Sequence, residues 1–120
     1  MLVLKYVLMV LAGALVGVVA SFAGIGGGVI IVPLLIVLGY TAQRAVGTSV
    51  LAILVIAVSS IVAHHRLENV DYRVGLLMGL GGVVGAQVGA SLLEDISTAG
   101  FKRVFALMLA ALSIYIFFKK

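Results

Sequence analysis

Charged side chains are so sparse in this chain that their positions alone divide it. The stretches free of Asp, Glu, Lys and Arg run over 6–43, 45–65, 74–93 and 104–118. About 20 apolar residues carry a helix across the hydrocarbon core of a bilayer. The second and third stretches are therefore one span each. The fourth is short, but Lys102, Arg103, Lys119 and Lys120 flank it and can snorkel to the headgroups. The first stretch is too long for a single span. It is interrupted by Gly24-Ile25-Gly26-Gly27-Gly28, with Pro33 soon after. Glycines clustered this densely disfavour continuous helix. The pattern predicts helices over 4–23, 28–40, 42–64, 71–93 and 98–118. Asp71 and Ser97 are the expected N-caps of the last two.

The fold class is an all-α polytopic membrane protein, with four to five transmembrane helices and a short, glycine-broken helix after the first. If the second helix crosses, Lys5, Arg44, Lys102 and Arg103 share one side, against Arg66, Arg73, Lys119 and Lys120. That balance gives no orientation by the positive-inside rule and suits a chain that inserts both ways and pairs antiparallel. If the second helix turns back, the split becomes five against three. The five-span arrangement is the preferred expectation. Residues 1–120 form a single integral membrane domain, without a soluble domain, linker, low-complexity tract or internal repeat. The first 22 residues carry signal-peptide features, ending in Ala20-Ser21-Phe22-Ala23. The apolar run continues past them, so they are expected to be a retained first span.

Composition narrows the class further. Of 120 residues, 64% are hydrophobic and 10% are charged, and the mean hydropathy is +1.37. Soluble domains carry about 25% charged residues. A soluble enzyme, a nucleic-acid reader and a disordered linker all fit poorly. The net charge of +4 sits at the ends of apolar runs, where it anchors headgroups rather than nucleic acid. Cysteine is absent, so thiol chemistry and disulfides are excluded.

Several constellations could carry chemistry. Gly81, Gly85 and Gly89 recur every four residues on one face of the fourth helix, and Gly13, Gly17 and Ser21 repeat the device on the first. Small residues at this spacing let helices approach closely in lipid, within or between subunits. Gly24–Gly28 reads two ways: a tight surface turn, or a break at membrane depth. A break there survives only if buried or facing a water-filled cavity. It would aim free N–H groups and a positive helix end at that cavity, as many transporters do to hold an anion. The cluster completes neither a Walker loop nor a dinucleotide fingerprint. Gly47-Thr48-Ser49 places two hydroxyls near the start of the third helix. They either donate to an anion or bond the helix backbone. His64 and His65 end that helix, as interfacial residues or as a proton-coupling pair. Gln87 is expected to bond across helices. No paired carboxylates, nucleophile–base pair or metal-ligand spacing is present, so no catalytic activity, metal or cofactor is expected.

In order, Gly24-Ile25-Gly26-Gly27-Gly28 with Val32-Pro33-Leu34, Ala45-Val46-Gly47-Thr48-Ser49, Leu67-Glu68-Asn69-Val70-Asp71-Tyr72-Arg73 and the Gly81–Gly89 run resemble the sulfite exporter TauE/SafE family. The resemblance covers about residues 8–118. It implies a cell-membrane transporter of a small anion such as sulfite, a sulfonate or a sulfur-containing organic acid. The expected substrate-binding residues are Gly24, Gly26, Gly27, Gly28, Thr48 and Ser49. The family's usual member is about twice this length, with two related halves. The resemblance therefore implies a single half-repeat completed by a homodimer, antiparallel if the balanced charges decide. The alternative is a channel-like or accessory subunit that needs a second, different half.

Overall fold

The computed structural model describes residues 1–119. Its elements are α1 (Leu2–Ala23), α2 (Gly28–Val37), α3 (Ala42–Arg66), α4 (Tyr72–Leu93) and α5 (Thr98–Phe118). Four boundaries match expectation within two residues; α2 does not. It was expected to reach residue 40 and stops at Val37, because Gly39 takes φ 100°. The Gly39 N–H then bonds the Ile36 carbonyl and the Tyr40 N–H bonds the Leu35 carbonyl. That left-handed closure satisfies carbonyls that would otherwise end the helix unpaired. Asp71 and Ser97 cap α4 and α5 as expected, accepting from the N–H groups of Val74 and Gly100, both at 3.0 Å. Thr41 caps α3 in the same way.

α1, α3, α4 and α5 are each long and apolar enough to cross a membrane. α2, with 10 residues, extends only about 15 Å at 1.5 Å per residue. Its contacts on α3 give its course. A Cβ on Gly28 would lie 3.3 Å from Ile53 and 3.9 Å from Ser49. Further along, Val32 and Leu35 pack on Ala45, and Arg44 stacks on the Tyr40 ring. α2 thus runs antiparallel to the first half of α3. α1 runs parallel to α3: Ser21 bonds Ser60 near the far end of α3. Val16, more than a turn earlier, lies beside Gly27 at the level where α2 begins.

The chain therefore climbs along α3 as α1, drops to mid-depth through the glycines, and completes the return as α2. The short, glycine-broken second helix is as expected, three residues shorter than 28–40, and the glycine segment supplies the rest of the return. The direction of travel is still that of a crossing, so α1, α3 and α5 start at one end of the bundle. Side-chain bonds fix that end. The Gln43 amide donates to the carbonyls of Leu93 and Ile96 at 2.9 and 2.7 Å. The Ala42 N–H donates to Thr98 Oγ1 at 3.1 Å.

The packed centre is small. Val32, Leu35 and Ala45 form it, with Phe101 and Phe105 of α5 laid against them. Ala42 and Ala45 are fully enclosed because their small side chains let α2 and α5 close on α3. Most large apolar side chains point outward, as lipid-facing positions do when the solvent is itself apolar. α4 and α5 bury no residue completely, and every residue of α4 except Leu93 is exposed. The glycine face of α4 therefore packs on nothing among the described residues. A Cβ at Gly81, Gly85 or Gly89 would meet open space.

Backbone strain and steric room separate the glycines. A Cβ on Gly27 would stand 2.8 Å from Val16 Cγ1, at φ 89°. Gly27→Ala should lower stability by roughly 1–3 kcal/mol. Gly13→Ala, in open helix, should be neutral or stabilising by up to about 1 kcal/mol. Thermal unfolding of the two variants in one detergent checks the ordering.

Candidate functional site

The break between α1 and α2 is built from backbone geometry that only glycine adopts readily. Gly24, Gly26 and Gly27 have φ of 71°, 77° and 89°, in the left-handed region that costs other residues about 1–2 kcal/mol. Gly24 closes α1 by donating its N–H to the Ala20 carbonyl at 2.7 Å. Beyond it, the N–H groups of Ile25, Gly26, Gly27, Gly28 and Val29 have no partner among the described residues. The Gly27 carbonyl accepts from Ile30 and Ile31, which starts α2. Pro33 lacks an N–H, so the Val29 carbonyl loses its helical partner as well.

Depth follows from α3. With 25 residues, it is about 37 Å long; Ser49 and Ile53 stand about 10 and 16 Å from its start. Gly28 lies beside both, so the free donors sit well inside the span. A cleft of about 160 Å³ opens further along α3, lined by Ala20, Gly24, Gly26, Ile56, Ala57, Ser60 and Ile61. No Lys, Arg, Asp or Glu is among these residues. Unpaired N–H groups and the N-terminal end of α2 are the positive features of this region.

The expected site residues are not all gathered. Gly24 and Gly26 line the cleft. Gly27 is buried against Val16 and Ala20, and Gly28 faces Ser49 and Ile53. Ser49 is buried at 2% exposure, and its hydroxyl donates to the Val46 carbonyl at 3.1 Å. It must turn away from that backbone bond to serve a ligand. Thr48 is exposed, one position round the helix from Ser49, and does not join the glycines. Gln87 is exposed on α4, and its expected cross-helix bond is not made among the described residues.

Sequence reasoning missed the polar chain beside the cleft. Ser60 lines the cleft and its hydroxyl is 2.9 Å from that of Ser21. Ser21 Oγ is 3.3 Å from His64 Nε2, which also bonds the Ser21 carbonyl at 3.0 Å. The Asn69 side-chain amide donates to His64 Nδ1 at 3.0 Å. Ile56, Ser60 and His64 recur every four residues, and that one-face spacing was the available signal. His65 points elsewhere and bonds the Tyr72 hydroxyl.

A backbone feature delivers Asn69. Glu68 takes φ 58°, its N–H bonding the His65 carbonyl while the Asn69 N–H bonds that of His64. This closes α3 by the same left-handed motif that ends α2, with Glu where glycine is easier.

The fold and the broken helix define a multi-pass helical membrane protein of the transporter class. The family model for sulfite exporter TauE/SafE matches residues 9–120. The chain belongs to the sulfite exporter TauE/SafE family. Among its relatives is the probable membrane transporter protein YunE of Bacillus subtilis (strain 168). The two are 32% identical over 97% of this chain and 45% of the relative. The probable membrane transporter protein MJ0441 of Methanocaldococcus jannaschii is 29% identical over 90% of this chain and 43% of its own length. A probable membrane transporter protein of Xylella fastidiosa (strain 9a5c) is 32% identical over 88% and 41%. The chain thus spans less than half the length of these curated relatives. No solved structure matches it.

Glu68→Gly should relieve the strained closure and stabilise the protein by about 1 kcal/mol. A rise in the thermal midpoint checks this; an unchanged or lower midpoint would place the cost of the φ 58° backbone elsewhere.

Proposed function

We propose that this protein carries a small anion, a sulfite or sulfonate, through the cleft at the α1–α2 break. The observation that carries the reading is the run of N–H groups from Ile25 to Val29 without a partner among the described residues, beside Ser49 and Ile53 of α3. A small anion entering a bilayer loses hydration worth tens of kcal/mol in the Born limit. Preorganised backbone donors replace water without holding the anion permanently, as a fixed Lys or Arg would. In this reading Gly24 and Gly26 line the anion's path directly, and Gly27, Gly28 and Ser49, which lie outside the cleft wall, join it on turning toward the ligand. Thr48 faces outward, where only a second subunit could bring a ligand to it. Membership of a family named for sulfite export supports the substrate class.

The unit that works is a homodimer in this reading. α4 presents Gly81, Gly85 and Gly89 with open space over each, and the relatives are more than twice as long as the stretch they share with this chain. A second copy of this chain, packed on α4, is the partner this reading assigns to that face. The balanced basic residues favour an antiparallel pair.

Two experiments test these statements. In proteoliposomes, Gly26→Ala should abolish sulfite flux while the protein still folds, since a Cβ there lies 3.6 Å from Ile53 Cγ2 and only the backbone is constrained. Ser49→Ala should weaken anion affinity by about 1–2 kcal/mol, roughly tenfold, if its hydroxyl reaches the ligand. Normal saturable flux in both variants would move the pocket away from the glycines. For the dimer, Gly85→Leu should separate the copies in cross-linking and mass measurements and reduce flux. Unchanged association would remove α4 from the interface, and capture of a different partner would favour the accessory-subunit reading.

A further inference from the structure

We propose that His64 is the proton site of this transporter, its protonation linked to occupancy of the glycine cleft by the anion. The inference rests on the anion-carrier reading above and adds the coupling group.

The cleft contains no charged side chain, yet its wall is wired to one titratable group. Ser60 lines the cleft and meets the Ser21 hydroxyl at 2.9 Å. Ser21 in turn meets His64 Nε2 at 3.3 Å. His64 therefore stands two hydroxyls from an anion in the cleft. It is half-buried at the end of α3, with the α3–α4 turn beyond it.

The network suits either charge state of the ring. The Asn69 amide faces Nδ1, an arrangement that suits a ring whose Nε2–H donates to the Ser21 carbonyl. A proton arriving from the surface would add to Nδ1. Rotation of the Asn69 amide by half a turn then presents its oxygen to the new N–H, and the Nε2 bond to Ser21 is retained. No bond is lost in either state. The other titratable groups near this end of the bundle are engaged elsewhere or exposed, and Lys119, exposed after α5, lies over the Tyr115 ring. α1 contributes only Ser21 and apolar residues from its last two turns. On α3, His65 is bonded to Tyr72 and Arg66 is exposed. On the turn, Glu68 is exposed and Asp71 caps α4 through Val74. Arg73 of α4 is exposed. The protonated ring supplies the positive charge that the cleft itself lacks. By linkage, the anion must favour proton uptake as much as the proton favours the anion.

The test uses methanesulfonate, whose charge does not change with pH, and the full chain in proteoliposomes. Wild-type flux should rise roughly tenfold or more as the medium is taken from pH 8 to pH 5.5. His64→Gln should give a flat profile. Asn69→Asp places a carboxylate against Nδ1 and should keep flux high toward pH 8, an effect that a folding defect would not produce. Adding methanesulfonate to lightly buffered wild type near pH 6.5 should take up protons, and His64→Gln should not. Equal pH profiles in wild type and both variants, with flux intact, would overturn the proton site and leave the carrier reading standing. Absence of methanesulfonate and sulfite flux in wild type at every pH would overturn the carrier reading and this inference with it.

Discussion

Within lipid, a backbone N–H has no water to bond, and each one left unpaired costs several kcal/mol. Regular helix is the ordinary answer, and four of the five helices here give it over their full length. The segment Gly24–Gly28 is the exception, and much of the molecule is arranged around it. α1 must end before the far surface loop so that the chain can turn down. α2 must begin at mid-depth, and α3 must offer small or flexible side chains to cover it. Ser49, Ile53, Ile56 and Ala57 meet those needs along a single face of α3.

α3 is accordingly the strut of the fold. It is the helix that α1, α2 and α5 each pack against, and Gln43 ties its first turn to the last turn of α4 and the residues beyond. Ala42 and Ala45 allow the tight approach at that end. At the other end the contact is polar, through Ser60, His64 and Asn69. The two ends of α3 are thus held by different chemistry, apolar closure near α2 and hydrogen bonding near the cleft. Apolar closure tolerates no change of geometry without voids, whereas hydroxyls and an imidazole can exchange partners at little cost.

The helices were legible because charges and caps sit at their ends, and Asp71 and Ser97 announce α4 and α5 directly. The length of α2 was not legible. Its residues are apolar throughout, and only the left-handed Gly39, inconspicuous among the glycines of this chain, shortens it. The glycine cluster could be recognised as a break, but its depth depends on where α2 rests on α3, a tertiary fact. Thr48 and Ser49 were treated as a pair because they are adjacent, and adjacency on a helix sends them about 100° apart. The Ser21–Ser60–His64 chain joins residues 39 and 43 positions apart. Nothing in local spacing indicates that α1 and α3 run side by side in the same direction.

That parallel arrangement gives α1 the mechanics of a lever. Its buried positions, Val16 and Ala20, and its bond at Ser21 all lie near the glycine break, while Leu2 to Leu11 are exposed along their whole run. The free arm from Leu2 to Val16 is roughly 21 Å long. A tilt of about 10° at that fulcrum would swing the N-terminal end by about 4 Å, yet displace the cleft wall by a small fraction of this. Lipid pressure or a neighbouring helix acting on the distant arm would therefore be geared down into fine movements at the glycines.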